Sequence, residues 1–165
     1  MRFFFCFLVF AAFTTVGYVI WRGYRKRKIF FENLIAFCNH LLVEISFAKN
    51  TVHHVIETYA AGYSPPFREV LTGYVKLIEA KADITRESVA AVMWTRLKPP
   101  ERSAVTDFFF ELGRAGVTEE TQKIENAKIR FDTFFAGADG ALKRDASIYL
   151  KIFIILGIAA AVLLL

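Results

Sequence analysis

From Phe3 to Trp21 the chain runs for 19 residues without a charge, carrying eight aromatic rings and only Thr14, Thr15 and Gly17 as weak points. Wound as an α-helix, such a run extends roughly 28 Å at about 1.5 Å per residue, close to the ~30 Å hydrocarbon core of a bilayer. A segment of this kind either crosses a membrane or is removed as an export signal. The export signal fits poorly. Its charged leader would be Arg2 alone, its apolar stretch exceeds the usual ~7–15 residues, and a block of positive charge follows directly. An uncleaved anchor is expected.

A second uncharged run covers Ile152–Leu165, 14 residues, and reaches 20 when extended back to Ala146 across Lys151. A lysine so near one end can lay its stem along apolar surface and keep its ammonium at the interface, with Tyr149 beside it. These two runs account for the excess in an apolar content of 55%, above the ordinary ~45–50%, and hold seven of the 18 Phe.

Arg22, Arg25, Lys26, Arg27 and Lys28 stand directly behind the first run and Arg2 stands before it. Removing these six turns a net charge of +5 into −1 for the remainder. Nucleic-acid binding needs phosphates neutralised along one face, and a juxtamembrane cluster does not supply that. It does set orientation, because Lys and Arg stay cytoplasmic. Lys143, Arg144 and Lys151 precede the second run and no charge follows it. Both signals expect a multi-pass membrane protein with a cytoplasmic middle and both tails outside. Cys6 in one anchor and Cys38 in the middle form no disulfide framework.

The middle reads as helix throughout. Phe30, Leu34, Phe37, Leu41, Ile45 and Ala48 recur at spacings of three and four, an apolar stripe that continues the first anchor. Asn50-Thr51 reads as a cap-like interruption, and Val52, Val55, Ile56 and Tyr59 carry a second helix that Gly62 and Ser64-Pro65-Pro66 break. A third spans about 67–82. Asp83 or Thr85 caps a fourth containing Val89, Val92, Met93, Trp94 and Leu97, which Pro99-Pro100 is expected to terminate. The fifth holds Val105, Phe108, Phe109 and Leu112 and stops at Gly113 or Gly116. Thr118-Glu119-Glu120 opens a sixth, with Ile124, Ala127, Phe131, Phe134 and Ala138 inward. Gly137 and Gly140 are expected to bend or fray it before the second anchor.

Chemistry-bearing residues are few. No phosphate loop, nucleophile elbow or paired-cysteine motif occurs. His40 with Glu44 and His53 with Glu57 sit four apart and can pair along a helix. Glu44 falls inside the apolar stripe, so its carboxylate needs a partner. Arg96 or Arg114 is the expected structural one, with a partner-protein contact as the alternative. Trp94 reads as core. Consecutive helical positions diverge by about 100°, so Phe108-Phe109-Phe110 cannot all face one core. At least one ring is expected on the surface, as a protein contact, unless another helix or subunit covers it. Gly157 and Ala161 form a small-xxx-small pair suited to close helix packing.

Taken in order, these residues resemble the stage III sporulation protein AB family of endospore-forming bacteria, over nearly the whole length. Tyr24-Arg25-Lys26-Arg27 is similar to its post-anchor basic motif, and Leu41, Glu44 and Ile45 to its LxxEI element. Thr51-Val52, Glu57 and Ala60 resemble its TPLxxAxExxA stretch, with the proline missing and Val52 for leucine. Trp94 resembles the tryptophan of its fourth helix. Leu112-Gly113, Gly116 and Gln122 resemble its glycine turn, although Ala115 and Glu119 depart from the usual leucine and aspartate. Tyr149, Leu156-Gly157 and Ala161 match its terminal anchor. The resemblance implies a mother-cell protein of the outer forespore membrane, similar to the cytoplasmic domain of type II secretion and type IV pilus platforms. It implies a secretion-type ATPase, stage III sporulation protein AA, and other channel subunits as partners.

The expected architecture is therefore all-α. An N-terminal anchor with its basic cluster covers 1–28, a cytoplasmic bundle of about six short helices covers 29–145, and a C-terminal transmembrane helix covers 146–165. The expected function is a non-enzymatic platform subunit with membrane lipid contacts, a possible homo-oligomer, no cofactor and no nucleic acid. Two alternatives stand beside it: a metal-responsive regulator or enzyme using His40, Glu44, His53 or Glu57, and a passive dimerising anchor.

Overall fold

The computed structural model describes residues 2–45, 52–80 and 84–163, and all regular structure among them is helical. The helices are α1 (Arg2–Val43), α2 (Val52–Tyr59), α3 (Pro65–Glu79), α4 (Arg86–Val92), α5 (Pro99–Glu111), α6 (Val117–Ala141) and α7 (Ser147–Leu163). By its contacts the chain divides into two compact units, Met1–Lys28 with Ala136–Leu165, and Ile29–Phe135. The expected cap at Asn50-Thr51, together with Ala48 and Asp83, lies outside the described residues.

The first unit is an antiparallel pair made by the N-terminal part of α1 and by α7. Glycines let the two backbones approach. A Cβ on Gly157 would stand 3.2 Å from Phe10 Cδ2 and from Phe13 Cβ, and one on Gly17 would stand 3.0 Å from Phe153 Cβ. Both α1 and the α6–α7 helix contain stretches long and apolar enough to cross a membrane, and only 11% of each apolar window is buried. A soluble core helix would be mostly covered; here Phe4, Phe7, Val19, Ile155 and Val162 point outward. Thr14 and Thr15 donate their hydroxyls to the carbonyls of Phe10 (2.9 Å) and Ala11 (2.7 Å), so each hydroxyl is satisfied within its own helix. Beyond the apolar stretches, the Asp139 carboxylate pairs with Lys28 Nζ at 2.8 Å and with Lys143 Nζ at 2.6 Å. Gly137 and Gly140 do not break α6. The irregularity comes after them, in a π-helical turn over Leu142–Ala146.

The second unit is a bundle of six helical segments among the described residues: the end of α1, α2 to α5, and most of α6. The apolar stripe of α1 forms its axis, with Phe30, Leu34, Phe37, Leu41 and also Phe31 fully buried. Aromatic rings knit the layers. Phe37 stacks on Phe109 at 6.0 Å, Phe30 meets Phe67 edge-on at 5.4 Å, and Phe108 meets Phe131 edge-on at 5.3 Å. Burial pushes the Cys38 thiol up to about 12, so it acts as a small apolar side chain. A Cβ on Gly73 of α3 would stand 3.0 Å from Val92 Cβ of α4, which marks the close approach of those helices.

Local sequence rules explain most boundaries. Thr85 caps α4 as expected: its hydroxyl accepts the Ser88 N–H at 3.2 Å, while the Thr85 N–H donates to Ser88 Oγ at 3.1 Å. Gly113 ends α5 with a φ of +78°, the left-handed region that glycine enters without a Cβ penalty. The proline pairs require a correction. Pro99-Pro100 does not terminate the fourth helix; α4 already ends at Val92, and the prolines open α5. Proline has no N–H to donate, and the first helical turn needs none, so the same dipeptide suits a start better than a stop. Pro65-Pro66 opens α3 in the same way. Trp94 therefore sits in the turn after α4, where the Leu97 N–H donates to the Trp94 carbonyl, rather than on the helix.

Candidate functional site

At the end of α1 the helix widens into a π turn at Glu44-Ile45. One turn earlier stands His40. The two side chains are bridged through a tyrosine instead of meeting each other. Tyr59 of α2 donates its hydroxyl to Glu44 Oε1 at 2.9 Å, and its ring stacks on the His40 imidazole at 4.1 Å. His40 Nδ1 lies 2.7 Å from the Tyr63 hydroxyl. The bond to Glu44 raises the Tyr59 phenol above its ordinary value, and burial raises that of Tyr63. Both phenols therefore keep their protons and act as hydrogen-bonding posts. The expected arginine partner of Glu44 is corrected accordingly. Glu44 is only half-buried, Arg96 is exposed, and Arg114 donates to the Ile84 carbonyl at 3.1 Å.

The second cluster is the turn between α5 and α6. Glu120 is 4% exposed, and its carboxylate accepts the Gly113 N–H at 2.8 Å and the Ala115 N–H at 3.3 Å. A left-handed glycine followed by a tight loop leaves backbone donors converging on one point, and an anion satisfies them. Beside this turn lies a cavity of about 440 Å³ lined by Ile45, Tyr74, Ile78, Phe110, Val117 and Glu120 among others. The three consecutive phenylalanines divide as helical geometry requires. Phe109 is fully buried against Phe37 and Tyr74, and Phe108 is buried against Phe131. Phe110 turns to the cavity rim, half-buried, with the Arg114 guanidinium 4.0 Å above its ring.

The remaining sequence candidates fall apart from these clusters. Trp94 stacks on Phe30 at 5.4 Å and is half-buried. His53 and Glu57 pair at 3.3 Å as i,i+4 neighbours on α2. Gln122 is exposed on α6, and Gly116 has open space around it. Arg22 and Arg25 are exposed, while Lys26, Arg27 and Lys28 are half-exposed; Lys151 is exposed on α7 and Ala161 is half-buried there. Among the described residues no three His, Cys, Asp or Glu side chains gather as a metal site would require.

Three contributors escape a reading of the sequence. Glu120 reads as a dipole-stabilising residue of a helix start, yet it is buried beneath the preceding turn; a left-handed glycine seven residues upstream is the available signal. Gly17 reads as a weak point of the anchor, yet it faces Phe153. Tyr59 reads as an apolar stripe position, yet its hydroxyl carries the contact to Glu44. No curated protein and no solved structure matches the chain. The family model for stage III sporulation protein AB matches residues 2–165, essentially the full length. The chain thus belongs to the stage III sporulation protein AB family.

Proposed function

We propose that this protein is a non-enzymatic membrane platform subunit of a sporulation channel complex. In this reading the bundle is held in the mother-cell cytoplasm at the outer forespore membrane. The observation that carries the proposal is the pairing of family membership with one architecture: a helical bundle whose chain enters and leaves through apolar helices. Positive charge borders both of those helices on the bundle side, which favours a cytoplasmic bundle. The polar side chains of the two clusters are engaged with tyrosines and backbone N–H groups, an arrangement that shapes a surface rather than performs a reaction. The bundle docks the cognate secretion-type ATPase, stage III sporulation protein AA, and the rim around Phe110 and Gly113 is the face assigned to that contact.

The test is co-purification of the ATPase with the full-length chain solubilised in mild detergent from sporulating cells. Recovery of the ATPase, reduced at least tenfold by Phe110→Asp without loss of the folded chain, supports the proposal. Recovery that is absent in the wild type, or self-association alone, contradicts it and favours a passive anchor.

A further inference from the structure

The first unit carries nine basic residues against two acidic ones, while Ile29–Phe135 carries twelve against fourteen. Within the first unit both carboxylates are already committed. Asp139 is shared by Lys28 and Lys143, and Asp145 accepts from Arg144 at 2.8 Å. Arg22, Arg25 and Lys26 meet no carboxylate among the described residues, and α1 offers none before Glu32. Three uncompensated cations within five residues repel one another unless an anion is supplied from outside.

Their position says what kind of anion. The 19-residue uncharged run ends at Trp21, so Arg22 to Lys26 occupy the first turn beyond hydrocarbon depth, where phospholipid headgroups lie. At about 100° per residue, Tyr18, Trp21, Arg22 and Arg25 fall within one arc of about 100°, and Lys26 follows about 40° beyond it. Tyr18 and Trp21 stack at 5.9 Å, and the Arg25 guanidinium lies 5.5 Å from the Trp21 ring. Tyr18, Arg22 and Arg25 are exposed. An aromatic pair at interface depth beneath a pair of guanidinium forks matches a lipid from two sides: rings against the glycerol and upper chains, forks against the phosphate.

We infer that Tyr18, Trp21, Arg22, Arg25 and Lys26 form a headgroup site for an anionic phospholipid on the bundle side of the bilayer. This site rests on the reading of α1 as membrane-spanning and refines how the platform is seated. It selects phosphatidylglycerol-type headgroups over zwitterionic ones, by about fivefold for each uncompensated cation and on the order of a hundredfold for all three.

The chain contains two tryptophans, Trp21 and Trp94, which gives a direct readout. Full-length Trp94→Phe protein is reconstituted in vesicles doped with brominated phosphatidylglycerol or brominated phosphatidylcholine, and quenching of Trp21 is compared. Stronger quenching by the anionic lipid is expected, falling to parity in an Arg22→Gln, Arg25→Gln, Lys26→Gln variant and unchanged in Arg86→Gln on the bundle. Equal quenching by both lipids overturns the site while leaving α1 in the membrane. Absence of quenching by either contradicts the membrane reading and the site together. A preference that survives the triple substitution assigns it to other cations and overturns the proposal. Native mass spectrometry of wild-type protein, counting retained phosphatidylglycerol against phosphatidylcholine, repeats the comparison without touching Trp94; equal retention is again contrary.

Discussion

Gly113 and Glu120 close one turn between them: the Gly113 N–H donates to a carboxylate oxygen of Glu120 at 2.8 Å, beneath a surface that leaves Glu120 4% exposed. The glycine supplies the left-handed backbone and the glutamate satisfies the donors that this backbone turns inward. Removing the acceptor takes the charged partner from two part-buried N–H groups, so Glu120→Ala is expected to cost about 1.5–3 kcal/mol. Glu120→Gln, which keeps one acceptor oxygen, is expected to cost about half of that. Gly113→Ala should cost about 1–2 kcal/mol from its φ of +78° alone, because an added Cβ meets only Val52 Cγ2 at a comfortable 3.6 Å. Chemical denaturation of the three variants in detergent checks the order.

The phenylalanine run supplies a second comparison. Phe109→Ala removes a ring that is fully buried between Phe37 and Tyr74 and is expected to destabilise the bundle by about 3–5 kcal/mol. Phe110→Ala, at the rim beneath Arg114, is expected to cost less than about 1.5 kcal/mol. Equal losses would mean that Phe110 is as much a core residue as its neighbour. Thermal unfolding separates the two.

At the α3–α4 crossing, Gly73→Ala drives a methyl group to 3.0 Å from Val92 Cβ. The expected cost is about 1–3 kcal/mol, and Val92→Ala, which removes the Cγ1 at 3.2 Å but keeps the Cβ, should recover only part of it in the double variant. A double-mutant cycle showing additive losses would place the strain elsewhere.

Asp107 accepts from Arg86 at 2.6 Å and from Ser103 at 3.3 Å, and the Arg86 hydrogen bond holds its carboxyl below the ordinary 3.8. A carboxyl lowered on folding stabilises the native state above its unfolded value and loses that contribution as pH falls through the lower, folded value. Wild type and Asp107→Asn should therefore differ most above pH 3.8 and converge below it. The difference is small, since both side chains are about half exposed and solvent screens the pair. Unfolding curves recorded from neutral pH to pH 3 test this; a gap that widens toward acid contradicts it.

The sequence makes the apolar runs, the basic cluster and the inward stripes legible because each depends on local periodicity. Thr85 and Gly113 are equally legible, since a cap and a left-handed stop act within one turn of the residue that makes them. Pro65-Pro66 and Pro99-Pro100 are ambiguous at that level: proline marks a boundary, but only the neighbouring packing decides which helix it bounds. Side-chain partners across elements lie further out of reach. Glu44 announces that it needs a partner, yet Tyr59 is reached only once α2 folds back against α1. Glu120 owes its role to the tight turn five to seven residues before it, which helix periodicity does not describe, and no spacing rule connects Gly17 with Phe153.

The proposed topology puts the bundle in the cytoplasm and both ends of the chain across the membrane. Its most direct test uses full-length protein with Cys6 and Cys38 replaced by Ala and one cysteine introduced, either as Glu125→Cys on exposed α6 or appended after Leu165. Treatment of intact cells with a membrane-impermeant maleimide should label the appended cysteine and spare the one at 125, which reacts only after lysis. Labelling at position 125 in intact cells, with protection of the appended cysteine, would contradict that topology.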